Sequence, residues 1–146
     1  CKEHIPELAV LWYEEISRHW SPTASINRAT ENLHQHANQN RLPLTLVALK
    51  DGKAVGMASL RENDGIRPDL SPWLGSLVVD PSYRHQGIGE KLIQTVQEEA
   101  RRFGYKKLYL LAFDPTIPGW YAKLGWKLMG EDRLFGHRVA VMDMEI

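Results

Sequence analysis

The sequence has no charge of one sign to spare. Its 18 basic and 18 acidic residues cancel to a formal net charge of +0. A nucleic-acid binder ordinarily carries a basic excess, so no nucleic-acid partner is expected. Cysteine is almost absent: Cys1 stands alone. A single thiol cannot close an intrachain disulfide, which fits a reducing, cytoplasmic setting. Long hydrophobic runs are missing too. No stretch approaches the ~18 apolar residues of a membrane span, so no membrane partner is expected, and no signal-peptide pattern opens the chain. His34 and His36 do not share a helix face. Neither has a cysteine or carboxylate cluster to complete a ligand set, so no metal site is read. Internal repeats, low-complexity tracts and linkers are absent. What is present is an ordinary globular composition: 146 residues, 43% hydrophobic and 25% charged. That length and balance predict one domain with one sizeable core.

Periodicity divides the chain. Leu8, Leu11, Trp12, Ile16 and Trp20 recur at helical spacing, predicting an amphipathic helix over Ile5–Trp20 that Ser21-Pro22 breaks. Ile26, Ala29, Leu33 and Ala37 predict a second, more polar helix over Thr23–Asn40. Leu42–Leu49 and Ala54–Leu60 flank the turn pair Asp51-Gly52 and read as a hairpin. Arg61–Pro72 is loop-like, and Trp73–Val79 is a buried strand. Ile88, Leu92, Val96 and Ala100 predict a helix over Gly87–Phe103, with Gly104 as its stop. A strand over Lys107–Phe113 and a short helix over Pro118–Leu124 follow, the latter closed by Gly125. Trp126–Met129 and Val139–Ile146 are expected strands. The fold class is therefore mixed α/β (α+β) in a single domain, residues 1–146.

The junction between Trp73–Val79 and the following helix carries the most chemistry. An apolar strand turns sharply at Asp80-Pro81 and feeds the basic, glycine-spaced loop Arg84-His-Gln-Gly87-Ile-Gly89. Backbone N–H groups at a helix N-terminus favour a phosphate, and glycines let the backbone approach pyrophosphate oxygens closely. A dinucleotide fingerprint needs a third glycine, but Glu90, Lys91 and Leu92 follow Gly89. A P-loop needs Gly-Lys-Ser/Thr, and the chain has none. The remaining pattern, Arg-x-x-Gly-x-Gly, also describes a plain strand–loop–helix turn.

Two separated motifs give the pattern context. Leu77-Val-Val-Asp-Pro81 followed by Tyr83-Arg84-x-x-Gly87-Ile-Gly89 resembles the GNAT superfamily of N-acetyltransferases. Downstream, Leu108-Tyr-Leu and then Gly119-Trp-Tyr121-Ala-Lys-Leu-Gly125-Trp126 resemble the family's strand–helix segment, with its recurring Tyr-x-Lys-x-Gly-Phe/Trp. The resemblance runs from about Leu44 to Ile146, and the two N-terminal helices fit the family's usual opening. It implies a mostly antiparallel central sheet flanked by helices. It also implies a strand ahead of the first helix. None precedes Ile5, so the chain is expected to continue upstream of Cys1.

The resemblance further implies acetyl-CoA as acetyl donor and a small-molecule or peptide amine as acceptor. Gln86, Gly87, Ile88 and Gly89 would offer amides to the pyrophosphate, with Arg84 and His85 beside them. Leu77, Val78 and Val79 would bond the pantetheine arm like an added strand, and an N–H near Val78 or Val79 would polarise the thioester carbonyl. Tyr121 is the expected general acid, since a phenol of reference pKa about 10 holds its proton at neutral pH. Glu62 is the expected general base, with Asp64, Asp69 and Asp114 as alternatives. Asp114 stands where many relatives carry Asn and is counted among the expected cofactor-binding residues, although it cannot donate to a ligand when ionised. Trp12, Trp20 and Trp73 are candidate walls of an acceptor pocket, and Glu131–Gly136 a further edge. A homodimer is possible through the C-terminal strands. The alternative function is a binding module that holds acyl-CoA without turnover.

Overall fold

The computed structural model describes residues 2–64, 66–114 and 116–146. Cys1, the lone thiol, lies outside the described residues. Helix α1, Ile5–Trp12, continues through a π-helical segment, Tyr13–Ser17, into a final turn α2, Arg18–Trp20. The expected helix over Ile5–Trp20 is thus present with one widened turn, a feature common at functional sites. Helix α3, Ile26–Gln35, is shorter than expected. Its start is set by Ser25, whose Oγ accepts the Arg28 amide at 3.0 Å, a cap worth about 1 kcal/mol. At its far end the Asn38 side-chain amide donates to the carbonyls of Gln35 and Pro43, each at 2.8 Å, and turns the chain toward the sheet.

Strands β1, Leu44–Lys50, and β2, Lys53–Arg61, form the expected hairpin. Asp51 and Gly52 take φ of 53° and 80°, the positive pair that matches strand twist in a two-residue hairpin. The chain continues through β3, Trp73–Val79, α4, Ile88–Arg102, and β4, Lys107–Ala112. It ends with α5, Ile117–Lys123, β5, Lys127–Leu134, and β6, His137–Glu145. The six strands order as β1-β2-β3-β4-β6-β5. All neighbours are antiparallel except β3 and β4. Strand β5 runs well past the expected Trp126–Met129. The charged Glu131-Asp132-Arg133 looks loop-like in sequence because β5 is an edge strand with little to bury.

Both faces of the sheet are covered. Leu92, Ile93, Val96 and Ala100 of α4 pack on Ala58, Leu60, Leu74, Leu108, Leu110 and Met142. On the opposite face, Ile5, Leu8 and Ala9 of α1 and Ala29 and Leu33 of α3 pack on Ala54, Met57 and Val78. No helix among the described residues is long and apolar enough to cross a membrane.

Two irregularities of β3 shape the molecule. Met57 pairs with Val78 and Ser59 with Gly75, so Ser76 and Leu77 together face the single residue Ala58. That is a β-bulge, which bends a strand and deepens its twist. In addition, the parallel β3–β4 ladder registers one residue pair, Trp73 with Tyr109. Beyond it the strands part toward their C-terminal ends. The gap between them is the floor of the main cavity.

Candidate active site

The cavity has a volume of about 1420 Å³ and extends from the loop before α4 to the end of α2. Its floor is Leu74–Val79 of β3 on one side and Leu110–Phe113 at the end of β4 on the other. Because β4 leaves β3 after Trp73, the β4-facing edge of Leu77–Val79 is open. An extended ligand bearing amides can add to such an edge as a strand would.

At one end stands the loop. Asp80 Oδ1 accepts the Ser82 amide at 2.9 Å and nucleates the turn Pro81–Tyr83. His85 and Gly87 both adopt the left-handed region, with φ of 64° and 80°. At Gly87, the residue just ahead of α4, the turn itself demands glycine. Arg84, His85, Gly87, Ile88 and Gly89 all line the cavity. The Arg84 Nε–H donates to the Val79 carbonyl at 3.2 Å, and its guanidinium meets Glu15 of the π-helical segment at 3.6 Å. Gln86 does not line the cavity, and its side-chain oxygen accepts from Lys50 Nζ at 2.7 Å.

Tyr121 is carried on α5, 6% exposed, at the cavity wall. Trp120 and Trp126 hold its ring edge-on at 5.0 and 5.7 Å between centroids. Burial pushes its phenol pKa well above the ordinary value, so the group keeps its proton throughout the physiological range. Asp114 lies at the mouth between β4 and α5. The Thr116 amide and hydroxyl donate to its Oδ1 at 2.9 and 2.8 Å. These bonds hold its carboxyl below the usual carboxylate range, so it is an acceptor only.

The candidate bases separate clearly. Glu62 is exposed on the cavity rim. Asp64 also lines the cavity, but it is bound to Arg61 at 2.6 Å. Burial raises its carboxyl pKa, against the opposing pull of the Arg61 charge. Asp69 is exposed and does not line the cavity.

The opposite end of the cavity is aromatic. Trp12 and Trp20 line it as expected, and Trp20 stacks on Phe113 at 5.2 Å with His137 edge-on at 5.3 Å. Trp73 does not take part: it is 0% exposed, its indole N–H donates to the Leu70 carbonyl at 2.8 Å, and it packs with Ile66, Val139 and Val141. Glu131–Leu134 is strand rather than loop, and only Leu134 and Phe135 of the expected edge reach the cavity. Sequence reasoning missed Arg61 and His36, which also line it. The His36 Nδ1–H donates to the Asn32 carbonyl at 2.5 Å, and Nε2 accepts from Arg61 Nε at 3.0 Å. Burial, then the Arg61 charge, lowers its pKa to about 4. No local motif announces these residues, because their partners come from distant segments.

The family model for Acetyltransferase (GNAT) matches residues 9–126. The chain belongs to this family. Within it, the GNAT domain is 31% identical over 99 residues to an amino-acid acetyltransferase of Pseudomonas syringae pv. tomato, covering 68% of this chain and 22% of that protein. It is 27% identical over 103 residues to one of Azotobacter vinelandii, covering 64% and 23%. The GNAT domain thus spans less than a quarter of the length of these curated relatives. Among solved structures, it resembles a ribosomal-protein-alanine N-acetyltransferase from Brucella melitensis with a TM-score of 0.78 at 20% identity, covering 100% and 96% of the two chains. It resembles an aminoglycoside 6'-N-acetyltransferase complexed with coenzyme A with a TM-score of 0.73 at 18% identity, covering 97% and 89%. These likenesses establish the GNAT fold, including the mostly antiparallel sheet flanked by helices.

Proposed function

We propose that this domain transfers the acetyl group of acetyl-CoA to a primary amine by direct attack within a ternary complex. The observation that carries the reading is the open β3 edge at Leu77–Val79, continuous in one cavity with the Arg84–Gly89 loop and Tyr121. Backbone amides at Gln86–Gly89, with Arg84, suit the pyrophosphate. The open edge suits the pantetheine amides, and a cavity of about 1420 Å³ accommodates donor and acceptor together.

In this reading the amine nitrogen attacks the thioester carbonyl carbon. The N–C bond forms and the C–S bond breaks. Glu62, exposed at the rim, takes the proton the amine loses. Tyr121 gives its proton to the departing thiolate, and burial among Trp120 and Trp126 keeps that proton in place until it is needed. A main-chain N–H near Val78 or Val79 steadies the carbonyl oxygen as charge develops on it. The kinship with amino-acid acetyltransferases puts α-amino acids on the acceptor panel, alongside polyamines, aminoglycosides and peptide N-termini.

The test is a thiol-release assay against that panel, run with a melting series in acetyl-CoA, NAD and ATP. Stabilisation by acetyl-CoA and turnover of at least one amine are expected. A stabilising ligand adds RT ln(1 + [L]/Kd), so the melting series reports donor choice directly. Stabilisation without turnover on any amine would make the domain an acyl-CoA-binding module. Stabilisation by NAD or ATP beyond that by acetyl-CoA would overturn the donor assignment.

A further inference from the structure

Ser76 holds φ of 51° in the middle of the β3 bulge. For a residue with a Cβ this conformation costs about 1–2 kcal/mol, and the position is one that glycine ordinarily fills. Something must hold it. The Arg61 Nη2 donates to Ser76 Oγ, Nη1 donates to Asp64 at 2.6 Å, and Nε donates to His36 Nε2 at 3.0 Å. The guanidinium also lies 5.5 Å from the Trp12 ring centroid. Three edges of one planar fork are thereby tied to the end of α3, the loop after β2 and the bulge in β3. Gly75 makes room for this: a Cβ there would stand 2.8 Å from Arg61 Nη1 and 3.3 Å from Asp64 Oδ1.

We propose that Arg61 is a positioning residue for acetyl transfer, clamping Ser76 in the left-handed region so that the bulge presents the open edge of Leu77–Val79 to the thioester. The proposal rests on the acetyl-transfer reading above. Arg61 acts through Ser76, and the amides that follow Ser76 do the work on the substrate. A misplacement of about 1 Å at such a site costs up to about 100-fold in rate. The loop at 84–89 lies outside the clamp, so free CoA keeps its phosphate contacts and loses only part of the pantetheine pairing at the displaced edge, and its affinity is expected to fall by less than kcat does.

The experiment compares wild type, Arg61→Met and the double variant Arg61→Met/Ser76→Gly in full-length chains. It measures kcat and KM for acetyl-CoA and Kd for free CoA. The expected result is a fall in kcat of about 10- to 100-fold in Arg61→Met with a smaller loss of CoA affinity, and recovery of most of both losses in the double variant. Glycine enters positive φ without a clamp, so it restores the bulge when the arginine is gone. A merely structural arginine would leave kcat unmoved in the folded fraction, or lower it beyond rescue by glycine. Either result overturns the proposal. Should Arg61→Met not fold, Arg61→Lys keeps charge and stem but loses the fork, and the same pairing with Ser76→Gly decides. If wild type acetylates nothing on the panel, the function reading fails by itself. The clamp is then judged by the amide chemical shifts of Leu77–Val79, which must move in Arg61→Met and return in the double variant.

Discussion

Leu74 and Leu77 pack into the same core on the α4 face of β3, although three positions separate them, and Val78 packs into the core on the opposite face. An uninterrupted strand would put Leu74 and Leu77 on opposite faces. The bulge at Ser76 and Leu77 resets the alternation. It thereby lets one strand serve two purposes: its first half seals the core beside β4, and its second half faces an open cleft.

Tyr121→Phe removes the phenol proton and leaves the ring that packs between Trp120 and Trp126. The expected outcome is a loss of about 100-fold in kcat with CoA affinity nearly unchanged. Steady-state kinetics beside a CoA titration check it. Undiminished turnover would remove Tyr121 from the mechanism.

Gly87→Ala places a Cβ at φ of 80°, in a spot with no neighbouring atom within 4 Å. The cost is conformational rather than steric, about 1 kcal/mol. A lower melting temperature and weaker CoA binding are expected, with the reaction rate at saturating acetyl-CoA largely kept. An effect confined to kcat would contradict the assignment of this loop to the donor phosphates.

Glu15→Gln frees Arg84 from a carboxylate 3.6 Å away. The pair is partly exposed, so its worth is small, about 0.2–1 kcal/mol. CoA affinity should rise by about two- to five-fold at low salt, and the gain should shrink as ionic strength increases. Calorimetric titrations at two salt concentrations read both. Weaker binding in the variant would mean that Glu15 supports the loop instead of competing for Arg84.

His36 sets a pH dependence of stability. Its pKa falls from 6.5 to about 4 on folding, so the folded state holds it neutral while the unfolded state takes up a proton below pH 6.5. Its contribution is fully present above pH 6.5 and is lost as pH falls from 6.5 toward 4. Urea melts of wild type and His36→Gln across that window should converge as pH drops. Parallel curves would show that His36 is not the titrating group.

The glycine-spaced loop and the helix that carries Tyr121 were legible because they are local. Arg84-His-Gln-Gly87-Ile-Gly89 is a contiguous turn, and its backbone requirement for positive φ at Gly87 is written in the residue itself. Tyr121 and Gly125 belong to one short helix and its stop, again within a few residues. Trp73 misled because a large aromatic side chain fits a pocket wall as well as it fits a core. Tertiary packing instead seals it behind Val139 and Val141. The π-helical turn left no trace in the apolar spacing of Leu8, Leu11, Trp12, Ile16 and Trp20, since a single extra residue per turn scarcely disturbs the stripe.

Residue order alone therefore determined most of the helices and strands, the hairpin turn at Asp51-Gly52, the glycine-spaced loop before α4 and the short helix that carries Tyr121. Each is set by backbone conformation or periodicity over a handful of neighbours. The tertiary structure decided where β3 and β4 part and that Glu62 lines the cavity while Asp69 does not. It also decided that Arg61 reaches Ser76, Asp64 and His36 at once. Those outcomes depend on strand register and on groups brought together from α3, β2 and β3. No window of sequence contains the distances between them.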